Sequence, residues 1–73
     1  MLVTADGSKV RALREARESS TREFAKKAGV SRRTLTRVER NEGPVRPGTA
    51  RKIGSALEVD PRTFARAVSS RPA

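Results

Sequence analysis

The sequence contains no cysteine, no histidine, no tryptophan and no tyrosine, and its aromatic content is two phenylalanines. Without cysteine, neither a disulfide nor a thiolate metal site can support the fold. Without histidine or cysteine, the common nucleophile–base pairs of covalent catalysis cannot be assembled. The eight acidic residues are scattered, whereas metal sites need them clustered. The expectation is a protein that is not an enzyme and uses no metal and no cofactor. Two aromatics are too few to form the stacking platforms of a single-strand binder. No uncharged stretch approaches the ~20 residues needed to span a bilayer. The segment Met1-Leu2-Val3-Thr4-Ala5-Asp6 has neither the basic start nor the long apolar core of a signal peptide. No membrane partner is expected, and a cytoplasmic location follows by default.

What the sequence does hold is positive charge. Seventeen Lys and Arg face eight Asp and Glu, a formal net charge of +9 in 73 residues. Such an excess is the footprint of a polyanion partner. Thirteen of the cations are Arg, whose guanidinium fork matches phosphate and guanine better than a point charge does. The length allows one domain with a small core. No linker, repeat or low-complexity block divides it, so residues 1–73 are expected to form a single unit with its core over about 8–68 and mobile ends.

Punctuation residues predict five short helices and no sheet. The first runs from about Ser8 to Glu18, with Val10, Leu13 and Ala16 at helical spacing. Ser20 opens the second, and Glu23 three residues on completes a capping box. Phe24, Ala25 and Ala28 form its inner face. Gly29 can take the left-handed conformation that ends a helix, and Ser31 is an N-cap for a third helix from Arg32 to about Arg40. A three-residue break containing Gly is the turn of a helix-turn-helix. Asn41 tolerates left-handed backbone and stops the third helix. After a loop, Pro47 suits the first turn of a fourth helix with Ile53, Ala56 and Leu57 inside. Asp60-Pro61 starts a fifth, in which Phe64 and Val68 face the core. No segment alternates with period two.

The third helix carries the chemistry. At about 100° per residue, Arg32, Thr36, Arg40, Arg33 and Arg37 share one arc of about 140°. No acid interrupts that arc, and Glu39 lies at its edge beside Leu35. A solvated face ordinarily interleaves charge signs, because opposite charges at i,i+4 stabilise a helix. Arg33 and Arg37 are instead like charges at i,i+4, which costs a few tenths of a kcal/mol. A face that accepts this repulsion is offered to an anion. The first turn of a recognition helix enters the major groove, where guanine presents N7 and O6 to an arginine fork. Arg32, Arg33, Thr36 and Arg37 are therefore the candidate base readers. Arg40, further along, suits phosphate. The second helix begins at Thr21, where unpaired N–H groups can bind phosphate, with Arg22 beside it. Arg46 precedes the fourth helix in the same way. From Ser31 to Lys52 there are seven cations and two acids, a local net of +5. Lys26 and Lys27 read as plain solubility charges. Glu15 and Glu18, bracketed by Arg14, Arg17 and Arg22, read as surface ion pairs worth less than about 1 kcal/mol.

These residues resemble the Cro/C1-type helix-turn-helix domains, also called the XRE family. The resemblance is carried by Val10, Leu13 and Arg14; by Ser20, Glu23, Phe24, Ala25, Ala28, Gly29, Val30 and Ser31; by Thr34, Leu35, Val38 and Glu39; and by Pro47, Thr49, Ile53, Ala56, Leu57 and Val59. It covers about residues 8–65. It implies an all-α, lambda-repressor-like bundle of five short helices that binds double-stranded operator DNA. It also implies base contacts at Arg32, Arg33, Thr36 and Arg37. It further pairs Arg14 of the first helix with Glu39 near the end of the third, a structural ion pair that fixes geometry more than it adds stability. Three positions depart from the pattern. Thr21 stands where Gln often contacts phosphate, Asn41 where Gly is common, and Gly54 where Ala is common. The last costs about 1 kcal/mol of helix propensity unless close packing requires it.

The function expected is sequence-specific DNA binding as a transcriptional regulator, a repressor in particular. The alternative is an antitoxin-like or other protein-interaction module in which DNA binding is secondary. RNA binding ranks third, since an RNA reader calls for exposed aromatics or Arg-rich disordered tails. The apolar candidates for self-association are Val45, Phe64 and Val68, but Phe64 is expected in the core, which favours a weak homodimer or a pair formed on DNA.

Overall fold

The computed structural model describes residues 2–67. Its elements, in order, are strand β1 (Val3–Ala5), helices α1 (Gly7–Ala16), α2 (Thr21–Ala28), α3 (Arg32–Glu39) and α4 (Pro47–Leu57), a 3-10 turn (Pro61–Thr63) and strand β2 (Ala65–Ala67). The helices are laid around a core whose fully enclosed members are Val10 of α1, Phe24 of α2, Leu35 of α3, and Ile53 and Leu57, one turn apart on the same face of α4. Each such side chain stabilises the fold by about 1.5–3 kcal/mol relative to leaving it in water. Leu13, Val30, Val45 and Val59 pack half-buried against this cluster.

The helix boundaries follow from their caps. The Asp6 side chain accepts from the Lys9 N–H at 3.2 Å and starts α1. Ser20 and Glu23 cap α2 reciprocally, and Gly29 ends it with φ +77°. Residues without a β-carbon take that conformation at no steric cost. Ser31 accepts from the Thr34 N–H at 3.0 Å to start α3. Asn41, at φ +58°, follows the end of α3 as a left-handed stop. Gly7 serves a different purpose: a β-carbon there would overlap the carbonyl oxygens of Val38 and Glu39. The start of α1 therefore sits directly on the end of α3. The same reasoning explains Gly54, where a β-carbon would meet the Pro61 ring and the Val59 carbonyl at 3.0 Å.

Two expectations are corrected. Among the described residues the chain has four α-helices, and the expected fifth is a single 3-10 turn. Asp60 caps that turn by accepting from the Arg62 N–H at 2.8 Å. Phe64 then leaves helical geometry (φ −127°), because its carbonyl is taken by the Asp6 N–H at 2.6 Å. Phe64 is buried as expected, and Val68 lies outside the described residues, as do Ser69 to Ala73. The second correction is a sheet where none was expected. β1 and β2 pair antiparallel, Val3 with Ala67, Thr4 with Arg66 and Ala5 with Ala65. An isolated bridge joins Val3 to Val45 on the other side of β1. This clasp ties the two ends of the helical unit together. In α1, Leu13 is half-buried and Ala16 faces solvent, so its inner stripe is narrower than the spacing suggested.

Candidate nucleic-acid interface

The α2–turn–α3 unit has its inner surface locked before its outer surface is considered. Phe24, Ala25 and Ala28 of α2 and Leu35 and Val38 of α3 are buried. With those positions fixed, the 3.6-residue period turns Arg32, Arg33, Arg37 and Arg40 outward, and all four are exposed. Thr36 is half-buried between them. A shallow hollow over this face is lined by Arg32, Arg33, Thr36, Arg37, Arg40 and Glu42. The four candidate base readers and Arg40 are thus neighbours on one surface. Ser31 caps the first turn of α3 and also donates from its hydroxyl to Thr34 Oγ1 at 2.8 Å.

The other end of α3 is anchored by charge. Arg14 Nε donates to Glu39 Oε2 at 2.7 Å and Arg14 Nη2 to Glu39 Oε1 at 3.0 Å, a two-pronged pair. A third guanidinium nitrogen donates to the Ser19 carbonyl at 2.8 Å. The two side chains are 10% and 8% exposed. The hydrogen bond to Glu39 holds the Arg14 guanidinium above its already high ordinary pKa, against the opposing effect of burial. A buried fork of this kind fixes the angle between α1 and α3, because any rotation breaks both bonds at once. Asn41 adds a second anchor, since its Oδ1 accepts from the Gly7 N–H at 2.8 Å.

The remaining candidates lie around this face. Thr21 is the first residue of α2 and is half-buried, and Arg22 beside it is exposed. The Ser20 side chain takes the Glu23 N–H at 3.1 Å, and the N–H groups ahead of it have no partner within the helix. Arg46 is the N-cap of α4, makes no side-chain cap bond, and is followed by Pro47. It lines a cleft with Thr34, Arg37, Glu42 and Thr49 that adjoins the arginine hollow. Lys26 and Lys27 are exposed on α2. Glu15 pairs with Arg11, at 3.0 Å and well exposed. Among the described residues no group of acids or other ligands could hold a metal ion. No helix there is long and apolar enough to cross a membrane.

Sequence reasoning missed Glu42. It lies in the loop that follows α3, yet the left-handed turn at Asn41 folds it back so that its N–H donates to the Arg37 carbonyl at 3.0 Å. The signal was Asn41 itself, since a left-handed residue after a helix returns the chain toward the last turn. Of the apolar candidates for self-association, Val68 lies outside the described residues. Phe64 is 3% exposed and belongs to the core, and Val45 is half-buried against it. The outward apolar surface is instead a hollow between Val3, Pro47, Ala50, Pro61 and Ala65.

Comparison with known proteins agrees with this geometry. A family model described as "Helix-turn-helix" matches residues 10–64. The restriction-modification controller protein C.AhdI from Aeromonas hydrophila is 32% identical, over 77% of this chain and 85% of that one, with a TM-score of 0.73. SinR, a master regulator for biofilm formation solved in complex with DNA, is 29% identical over 78% of this chain and 92% of that one, with a TM-score of 0.74. Hydroxyethylphosphonate dioxygenase contains a similar fold, at 24% identity and a TM-score of 0.75, over 92% of this chain and 14% of that one. No curated protein sequence matches. The capped α2–turn–α3 unit, its buried inner face and the family match over most of the chain agree: the chain belongs to the helix-turn-helix family of Cro/C1 (XRE) type.

Proposed function

We propose that α3 reads the major groove of double-stranded DNA and that the protein acts as a sequence-specific transcriptional regulator, most directly as a repressor. The observation that carries this reading is the outward face of α3, where Arg32, Arg33, Thr36, Arg37 and Arg40 line a single hollow. The face stands on the second helix of a helix-turn-helix, the helix whose first turn enters the groove in such motifs. Arg32, Arg33 and Arg37 present forks to guanine N7 and O6, and Thr36 suits a thymine methyl or a base edge. Thr21, Arg22, Arg40 and Arg46 take phosphates and set register without reading sequence. SinR, 29% identical, was solved bound to DNA, which supports the same use here.

The protein binds rather than catalyses: it has no histidine or cysteine to build the common catalytic pairs. Its place is with the cell's DNA, in the cytoplasm. Among the described residues the one exposed large hydrophobic side chain is Leu2. This favours a weak homodimer, or two copies that meet on half-sites about one helical turn apart, over a tight free dimer. The hollow at Val3, Pro47, Ala50, Pro61 and Ala65 keeps a second reading open, in which an antitoxin-like domain holds a protein partner there. The test is selection of bound duplexes from a random pool, followed by titration at 50–200 mM salt. A defined motif is expected, with log K falling by about 0.9 per phosphate neutralised for each unit of log salt. A salt-independent affinity, or no enrichment of any motif, refutes the reading.

A further inference from the structure

The arginine hollow holds one carboxylate, and the fold does not need it. Glu42 lines the hollow together with Arg37 and Arg40, and also lines the adjoining cleft beside Arg46. Its backbone is what the structure uses: the N–H donates to the Arg37 carbonyl at 3.0 Å, and its carbonyl accepts from Arg37 Nη2 at 3.5 Å. The carboxylate faces Arg40 instead, with Nη1 and Oε2 3.8 Å apart and the side chains 71% and 47% exposed. A pair that long and that wet contributes little to stability. On a surface offered to a polyanion, however, a negative charge opposes binding, so its position calls for another role.

We propose that Glu42 is a specificity-determining residue that acts through Arg40, a proposal that rests on the DNA-binding reading above. Glu42 partly neutralises Arg40 in the free protein. A loosely docked complex held by phosphates alone, with no base contacts to set its depth, draws the Arg40 fork onto phosphate and off Glu42. Losing that pair weakens binding to arbitrary sequence. In the complex with the correct site, base contacts hold the domain deep in the groove. There the outer edge of the Arg40 fork meets a phosphate while Nη1 stays on Glu42, because a guanidinium has donors for both. The penalty thus falls mainly on the wrong sequences. Natural specificity commonly relies on such a repulsive element as well as on attraction.

The test is Glu42→Gln, which keeps the shape and removes the charge, titrated on the selected site and on random-sequence duplex over a salt series. Binding to random duplex should tighten about fivefold, the factor for one unit charge at contact distance in water. Its salt slope should steepen by about 0.9. The selected site should change less than about twofold on the same argument, so that the ratio of specific to non-specific affinity falls. In an Arg40→Ala background the substitution should do neither. Equal tightening on both duplexes, no change on either, or an undiminished effect without Arg40 overturns the proposal. So does weaker binding to the selected site, which would make Glu42 a base contact. Thermal melts of the variants should match the parent, since the side chain is outside the core. If the unmodified protein binds no duplex at 50 mM salt, the DNA-binding reading fails first, and visibly so.

Discussion

Breaking the Arg14–Glu39 pair from one side should be among the most damaging changes available to this small domain. The two side chains are 10% and 8% exposed and joined by hydrogen bonds of 2.7 and 3.0 Å. Arg14→Met leaves Glu39 buried without its partner, and Glu39→Leu leaves the guanidinium with only the Ser19 carbonyl. An uncompensated charge in such a place costs about 3–5 kcal/mol. For a domain of this size each kcal/mol moves the melting temperature by about 4–8 °C, so a single variant should melt at least about 12 °C lower. The double variant Arg14→Met/Glu39→Leu should recover much of the loss, because two apolar side chains leave no buried charge. Thermal and urea unfolding of the three variants make a double-mutant cycle that isolates the pair. The raised Arg14 pKa carries its own sign. A group whose folded value lies above its already high unfolded one stabilises at all pH below that unfolded value and loses the contribution only in strongly alkaline solution. The Arg14 part of the penalty should therefore be flat across the neutral range. If both single variants melt within about 2 °C of the parent, the pair is not what holds α3 to α1.

Gly7→Ala should destabilise by about 1–3 kcal/mol, because the new β-carbon meets the backbone of Val38 and Glu39. An unchanged or higher melting temperature would mean that helix propensity outweighs the clash and that the contact is loose. Asp60 should titrate below its ordinary 3.8, since the Arg62 side chain and N–H hydrogen-bond to its ionised form. Its contribution is complete above 3.8 and is lost as pH falls through the lowered value. Carboxyl shifts followed by NMR should show this and return toward 3.8 in Arg62→Ala. A wild-type value at or above 3.8 would show that the contact does not persist.

The helices were legible because each is announced locally. Ser20 with Glu23, Gly29, Ser31 and Asn41 mark boundaries through side-chain and backbone chemistry that needs no distant partner. The arginine arc of α3 was legible for the same reason, since helical period alone groups it once Leu35 and Val38 point inward. What escaped depends on distant segments. Three-residue strands offer too short a run to display alternation, and β1 and β2 exist because they supply each other's backbone partners. The fifth helix was read from Asp60-Pro61 and the spacing of Phe64 and Val68, cues that a 3-10 turn satisfies equally well until Asp6 claims the Phe64 carbonyl. Gly7 is an ordinary helix-start residue in the sequence, and only the approach of α3 explains it. Glu42 joins the arginine hollow because Asn41 turns the chain back, which places a loop acid on a helix face.

The measurement that bears most directly on the reading of α3 is a base-preference profile. Arg33→Ala, Arg37→Ala and Arg46→Ala are titrated against the selected site and a panel of its single-base variants. Arg33 and Arg37 line the hollow on α3 and Arg46 lies at the start of α4. Removing either α3 arginine should cost about 1–3 kcal/mol on the best site and relax preference at one or two base pairs, guanines in particular. Removing Arg46 should weaken all sequences alike and lower the salt slope by about one unit. If Arg33→Ala and Arg37→Ala instead lower affinity uniformly, with base preference unchanged, α3 is a general polyanion surface and does not read sequence.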